Sequence, residues 1–365
     1  MNTAMNEVAE LALSLDSYPA YVYDLLGLRE HVEAIREALG STELFYAAKA
    51  NPDAEILRTL APHVDGIEVA SGGELAHVRA TLPGMPLAFG GPGKTLEELR
   101  LALTVERVHV ESPNELRNLA ALGPADILLR ANLPLRTPNA ALTMSGPFGM
   151  DEDALNECAR LLADNPHLTL RGVHAHLASG LDAPAMLDLA HQIAEWALPW
   201  LKTQGVDDPE LNVGGGMAVD YTSPRALFDW RTYATGLASI PATVRIEPGR
   251  AITAYHGWYV TDVLDVKTTR GETYVILRGG THHLRTPVTK GHDQPFQVLT
   301  ATGPESPATL VGQLCTPKDV FARDVPVPPL SPGDVVAFGM AGAYAWNISH
   351  HDFLMHPKPG FHYLR

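Results

Sequence analysis

The sequence predicts an α/β protein, a (β/α)8 TIM barrel followed by a C-terminal antiparallel β domain, on three observations. Short apolar runs alternate with amphipathic stretches from about residue 21 to about residue 247, the pattern of repeated βα units around a parallel sheet. About eight or nine such units can be drawn, which suits a closed barrel better than an open sheet, although periodicity alone leaves a doubly wound fold open. Beyond Arg250 the period shortens, and "WYVTDVLDVKTT" and "TYVILRGG" alternate apolar and polar residues as antiparallel strands do.

Taken in order, the strand-like runs are residues 20–24, 44–49, 66–70, 86–90, 107–111, 126–131, 170–176, 211–215 and 243–248. Helix-like segments lie between most of them, including 96–104, 113–122 and 151–164. The change of period places the barrel at 22–248, with 1–21 and 249–365 forming a β-sandwich or β-barrel-like domain. The proline-rich "DVPVPPLSPGD" (324–334) reads as a stiff loop.

A chain of 365 residues with 45% hydrophobic side chains can bury a large core. Its formal charge of -15, from 27 basic and 42 acidic residues without a basic block, argues against nucleic acid or an anionic membrane as partner. Small molecules and further copies of the chain are the expected partners. Cys158 and Cys315 are the two cysteines, too few for a disulfide framework, so a reducing compartment, the cytoplasm, is expected. The start "MNTAMNEVAELALSL" lacks a basic region before its apolar residues and does not read as a signal peptide. No apolar run approaches the ~18 residues of a membrane span.

Strand ends of a barrel converge on one face, where its sites are built. Lys49 ends "LFYAAK" and is followed by Asn-Pro. Partial desolvation lowers a lysine's pKa and yields the neutral amine a Schiff base needs. The competing reading is a structural ion pair with Glu68 at the next strand end. "HAHLASG" (174–180) sets His174 and His176 on one strand face, but no adjacent acid or cysteine set completes a metal site, and no metal is expected. "NVGGGM" (212–217) has three consecutive glycines whose backbone N–H groups can surround a phosphate, although alone such a triplet is as often a tight turn. "RIEPGR" (245–250) offers Glu247 at a strand end and Arg250 beyond a Pro-Gly turn, ready for an anion. Lysine, glycine cradle, carboxylate and arginine on successive strand ends suit a phosphate-bearing aldehyde cofactor.

The ordered motifs "YAAKANP", "IEVASGGEL", "HLASG", "GGG", "EPGR", "LCTPKD" and "GAYAW" resemble the fold-type III pyridoxal-phosphate decarboxylases, the family of ornithine, arginine and diaminopimelate decarboxylases. Alanine racemase is a more distant relative in fold, so the resemblance implies an alanine racemase-like barrel. It also implies that Lys49 holds pyridoxal 5'-phosphate covalently, that His176 stacks on the pyridine ring and that Glu247 pairs with the ring nitrogen. A carboxylate there keeps that nitrogen protonated and the ring electron-withdrawing, which favours decarboxylation over racemisation. By the same resemblance Ser179, Gly214, Gly215, Gly216, Arg250 and Tyr344 would hold the phosphate, with Glu68 and Arg130 near the cofactor. Cys315 would protonate the carbanion from the partner subunit of a homodimer with shared active sites. Taken alone, "LCTPKD" would contain an ordinary buried cysteine.

The departures from the family concern substrate. Where diamine-forming relatives carry an acid directly after this cysteine, Thr316 stands here, with Asp319 four residues beyond the cysteine. "GGTHHLRTPV" (279–288) concentrates His282, His283 and Arg285, which would suit substrate carboxylates unless the segment is simply a solvated hairpin edge. With "AYAWNISHHDFLMHPKPGFHYL", this looks like the subgroup that acts in carboxylate siderophore biosynthesis on an amino acid or a citrate-conjugated diamino acid, such as citryl-diaminopropionate. A diaminopimelate or ornithine/lysine-type decarboxylase of primary metabolism is the alternative.

Overall fold

The computed structural model describes all residues except 1–2, 136, 139, 145 and 286–292. It divides into two compact units, one of His31–Val219 with Leu227–Ala251, the other of Met1–Glu30, Asp220–Ala226 and Ile252–Arg365. In chain order the strands begin with β1 (Ala20–Asp24), β2 (Glu43–Ala47), β3 (Gly66–Val69), β4 (Leu87–Phe89), β5 (Arg107–Val110) and β6 (Ala125–Arg130). They continue with β7 (Leu142–Thr143), β8 (Leu168–His174), β9 (Ala178–Ser179), β10 (Glu210–Asn212), β11 (Thr243–Ile246) and β12 (Gly257–Thr269). The last are β13 (Glu272–Leu277), β14 (Phe296–Val298), β15 (Ser306–Val311), β16 (Val320–Val327), β17 (Val335–Phe338) and β18 (Gly360–Leu364).

The first unit is a closed barrel of parallel strands in the order β10-β11-β2-β3-β4-β5-β6-β8. Pairing of β11 with β2, Arg245 against Glu43 and Ile246 against Leu44, closes it. Helices cover the outside, so the strands are buried on both faces and read as apolar runs rather than alternating ones. The covering helices Leu96–Ala102, Pro113–Ala120 and Glu152–Ala163 start where side chains accept their free N–H groups. Thr95 does so in a capping box with Glu98, and Ser112 and Asp151 cap the other two, each cap contributing about 1 kcal/mol.

The second unit holds one eight-stranded sheet. Its path runs β14-β17-β12-β13-β15-β16, and β1 joins it antiparallel to β12 and parallel to β18. The expected antiparallel domain is therefore a mixed sheet, since β13 also runs parallel to β15. The run 20–24, drawn above within the series of βα repeats, is not a barrel strand, and the chain up to Glu30 belongs with this sheet. Apolar content cannot distinguish the two, because β1 is buried along its whole length like a barrel strand. Val8 and Ala12 of the first helix pack on Val22, Val260, Val335 and Ala337 of the sheet. The expected loop 324–334 is strand as far as Val327. Pro326 is accommodated because β16 lies at the end of the sheet path, where an edge position needs no N–H. Among the described residues no helix is long and apolar enough to cross a membrane.

Candidate active site

Beyond Ala47, β2 passes into a short turn, Ala48–Ala50, that carries Lys49 at the barrel mouth. Asp53 then caps the helix Ala54–Leu60 by accepting from the N–H groups of Glu55 and Ile56, which fixes the end of the segment. Lys49 Nζ donates to Glu68 Oε2 at 2.6 Å, and its side chain stays 46% exposed while that of Glu68 is 5% exposed. The amine thus faces the open mouth while its partner is sealed below. Burial pushes the Glu68 carboxyl up, and the Lys49 charge opposes that rise.

After β10 the chain forms a glycine cradle. Gly214 and Gly216 adopt φ of +71° and +103°, a region only glycine enters readily. A Cβ on Gly214 would lie 2.6 Å from His176 Cβ, one on Gly215 2.3 Å from the Glu247 carbonyl oxygen, and one on Gly216 2.4 Å from the Ala178 carbonyl oxygen. All three positions therefore exclude side chains. Asn212 ties the cradle to the barrel interior: its Oδ1 accepts from the Gly214 N–H at 2.9 Å and its Nδ2 donates to Glu247 Oε1 at 2.7 Å. His176 lies just beyond β8 with Nε2 3.5 Å from Ser179 Oγ. Burial, reinforced by the charges of Lys49 and Arg130, lowers its pKa to about 4, so its ring is neutral at physiological pH.

Glu247 follows β11, and its N–H donates to the Gly214 carbonyl at 2.8 Å. Two further rings face its carboxylate, His109 from β5 and His174 from β8, with Nε2 atoms 3.7 Å from Oε1 and 3.4 Å from Oε2. These three residues bring potential ligand atoms within 4.8 Å of one another, so they could also hold a cation. Arg130 ends β6 and donates to Glu111 Oε1 at 2.6 Å, both buried. Glu111 in turn accepts from the N–H groups of Gly91 and Gly149, bracing two mouth loops. Arg250 opens the helix Arg250–Thr253 directly after the Pro-Gly turn.

The barrel unit thus brings together Lys49, Glu68, Arg130, His176, Ser179, Gly214, Gly215, Gly216 and Glu247. Their arrangement fits pyridoxal phosphate: an amine at the mouth, a backbone cradle no Cβ could share, and a buried carboxylate joined to that cradle through Asn212. Such a set can hold an aldehyde, a phosphate and a protonated ring nitrogen at once.

The remaining candidates lie in the second unit. Cys315 is exposed, in contrast to the ordinary buried cysteine that its motif alone would suggest. Tyr344 takes a left-handed backbone conformation, φ +49°, which is strained for a non-glycine residue and marks a tightly built turn. Arg285 is exposed, whereas His282 and His283 are 1% and 0% exposed. The expectation that these histidines would suit substrate carboxylates is corrected, because neither buried ring is open to a ligand. Burial and neighbouring histidines lower their pKa to about 4 and about 3, leaving both neutral at physiological pH. Asp319 is also corrected. Its carboxylate accepts from the N–H and hydroxyl of Thr281 and from the N–H of Leu314, so it braces its own loops rather than standing open to a substrate. Thr286, Pro287 and Val288 of the quoted segment lie outside the described residues.

Sequence reasoning missed His109, Asn212 and Glu111. Each was present inside a quoted run, but nothing local separates a polar residue pointing into a barrel from one pointing out. Alternation within "RVHVE" was the available signal, because His109 sits between Val108 and Val110 and so points to the opposite face of the strand from both.

Residues 25–254 match the model of the family described as pyridoxal-dependent decarboxylase, pyridoxal binding domain. Over 96% of its length the chain is 41% identical to 96% of the Staphylococcus aureus 2-[(L-alanin-3-ylcarbamoyl)methyl]-2-hydroxybutanedioate decarboxylase. It is 33% identical over 89% of its length to a diaminopimelate decarboxylase of Actinosynnema pretiosum, covering 79% of that protein. The crystal structure of Helicobacter pylori diaminopimelate decarboxylase complexed with L-lysine superposes with a TM-score of 0.88 at 27% identity, covering 98% of this chain and 94% of that one. Fold, site and sequence agree, and the chain belongs to the pyridoxal-dependent decarboxylases, the pyridoxal-phosphate enzymes that release CO₂ from amino acids.

Proposed function

We propose that this chain removes the α-carboxylate of a citrate-conjugated diamino acid in siderophore biosynthesis. The observation that carries the reading is 41% identity along 96% of both chains with a decarboxylase whose substrate name describes diaminopropionate joined through an amide to citrate. Thr316, standing where diamine-forming relatives carry an acid, supports it further. The enzyme works in the cytoplasm as a homodimer with shared active sites.

When bound, pyridoxal phosphate supplies an electron sink for the bonding pair left as the α-carboxylate departs as CO₂. Lys49 anchors the cofactor through its amine, and Glu68, 2.6 Å away, orients that amine. The N–H groups of Gly215 and Gly216 hold the phosphate, Gly214, tied by its own N–H to Asn212, shapes the turn before them, and Ser179, Arg250 and Tyr344 complete the shell. His176 packs its neutral ring against the cofactor, and Arg130, braced by Glu111, closes the mouth beside it. Glu247 keeps a proton at the ring nitrogen, so that the charge developing in the transition state is met by a preorganised pair. Cys315 of the partner subunit gives its thiol proton to Cα, in the place the carboxylate has left, and the Lys49 amine must take back the cofactor before the product amine is free. Arg285 binds carboxylates of the citrate half.

The test is CO₂ release by the purified, cofactor-loaded protein with citryl-diaminopropionate, diaminopropionate, ornithine, lysine and diaminopimelate. Turnover confined to the conjugate supports the proposal, whereas efficient turnover of a free amino acid returns the enzyme to primary metabolism. Arg285→Gln should raise KM for the conjugate about tenfold through loss of a charge-assisted contact. An unchanged KM counts against Arg285 as the carboxylate ligand.

A further inference from the structure

Two buried side chains beneath the mouth have no part in the mechanism above. The rings of His109 and His174 stack with centroids 4.3 Å apart and planes 23° apart. All four of their ring nitrogens are buried with no hydrogen-bond partner in the structure. Burial, reinforced for His109 by His174 and for His174 by Arg130, holds both well below the ordinary histidine pKa. Each ring is therefore neutral and carries one N–H that needs an acceptor. The Glu247 carboxylate is the acid both rings face: the His109 Nε2 approaches Oε1 at 3.7 Å and the His174 Nε2 approaches Oε2 at 3.4 Å. Each ring thus addresses a different oxygen, at separations a few tenths of an ångström beyond a normal hydrogen bond. Asn212 holds Oε1 from a third direction at 2.7 Å.

We propose that His109 and His174 are positioning residues for Glu247: as a stacked pair they direct one N–H at each carboxylate oxygen and fix the plane in which that carboxylate meets the cofactor's ring nitrogen. The inference rests on the reading that Glu247 pairs with that nitrogen. The same three residues could instead hold a cation. Against that stand the Asn212 amide already on Oε1 and the positive charges of Arg130, Lys49 and Lys94 that already act on His174.

The test uses holoenzyme reconstituted with pyridoxal phosphate labelled with ¹⁵N in the ring, whose chemical shift reports the proton at that nitrogen. Glu247→Gln, the reference, should move the resonance toward that of unprotonated pyridine. His109→Leu and His174→Leu should move it the same way and lower kcat about tenfold with KM within about twofold, whereas His109→Asn, which keeps an N–H donor, should restore the wild-type signal. Should a leucine disrupt the barrel, His109→Met and His174→Met give the same comparison. Apolar variants that keep the wild-type resonance while Glu247→Gln shifts it overturn this inference alone. A Glu247→Gln enzyme with an unshifted resonance overturns the reading beneath it. Stoichiometric zinc in the purified wild-type enzyme, lost in both apolar variants, likewise overturns the positioning role.

Discussion

Replacing Gly216 by alanine should weaken cofactor binding before it weakens the fold. Gly216 holds φ +103°, and an added Cβ would lie 2.4 Å from the Ala178 carbonyl oxygen and 3.0 Å from Ser179 Cα. Carbon and oxygen ordinarily meet at about 3.3–3.6 Å, so either the glycine triplet or the 178–179 segment must retreat by about 1 Å. Backbone strain at such a φ adds about 1–3 kcal/mol for a residue with a side chain. Both segments lie at the mouth, outside the barrel strands, so the barrel itself should persist. A displacement of about 1 Å in a preorganised site lowers its effectiveness about 100-fold, and the dissociation constant for pyridoxal phosphate should rise by that factor, or about 2.8 kcal/mol. Gly205 is the control: it too has positive φ, +75°, but a Cβ there meets nothing within 4 Å. Gly205→Ala should therefore bind cofactor as wild type does. Absorbance titration of the two apoproteins measures both constants, and a urea midpoint for each reports the fold. Wild-type affinity in Gly216→Ala, or an equal loss in Gly205→Ala, would refute the argument that close packing of the cradle, rather than backbone strain alone, shapes the phosphate site.

Two further outcomes follow from buried groups. Asn212→Leu orphans the Gly214 N–H and removes the amide from Glu247, and because the two bonds form one network the loss should be about 2–4 kcal/mol in urea unfolding of the apoprotein. A change under about 1 kcal/mol would show that Asn212 does not hold the cradle. His283 provides a pH signature. Its folded pKa, about 3, lies far below the ~6.5 of an unfolded histidine, so between those values the unfolded chain binds a proton that the folded chain refuses. Its contribution to stability is complete above about pH 6.5 and is lost as pH falls toward the folded value, at up to about 1.4 kcal/mol per pH unit. His283→Leu should flatten the fall in unfolding free energy between pH 7 and 5 by up to that slope. Parallel curves for the two proteins would show that the ring is not held neutral.

Much of the site was legible because cofactor chemistry leaves local marks. A lysine ending an apolar strand, three consecutive glycines and a carboxylate before Pro-Gly each have an ordinary explanation alone, but their occurrence in this order along the chain compounds the signal. The glycine triplet does lie where no Cβ fits, which a backbone cradle and a tight turn both require. The histidine pair 282–283 was misread for a general reason. Adjacent histidines beside an arginine look cationic, but charge state depends on burial, which a short segment does not reveal, and the fold buries both rings among other histidines. Asp319 was misread similarly, because hydrogen bonds from Thr281, 38 residues away in sequence, turn it into a brace.

By itself the sequence determined the repeat of strand and helix, the break in period after Arg250 and the chemical identity of the residues proposed to bear the cofactor. All of these depend on neighbours within a few positions, where propensity and spacing act. Tertiary structure alone decided that β1 joins the mixed sheet, that the barrel closes by pairing β11 with β2, and that His109, His174 and Asn212 gather around Glu247. Those outcomes depend on which strands become neighbours across tens to hundreds of residues. A polar side chain inside a barrel acquires its partners, its burial and its charge only once that closure has occurred.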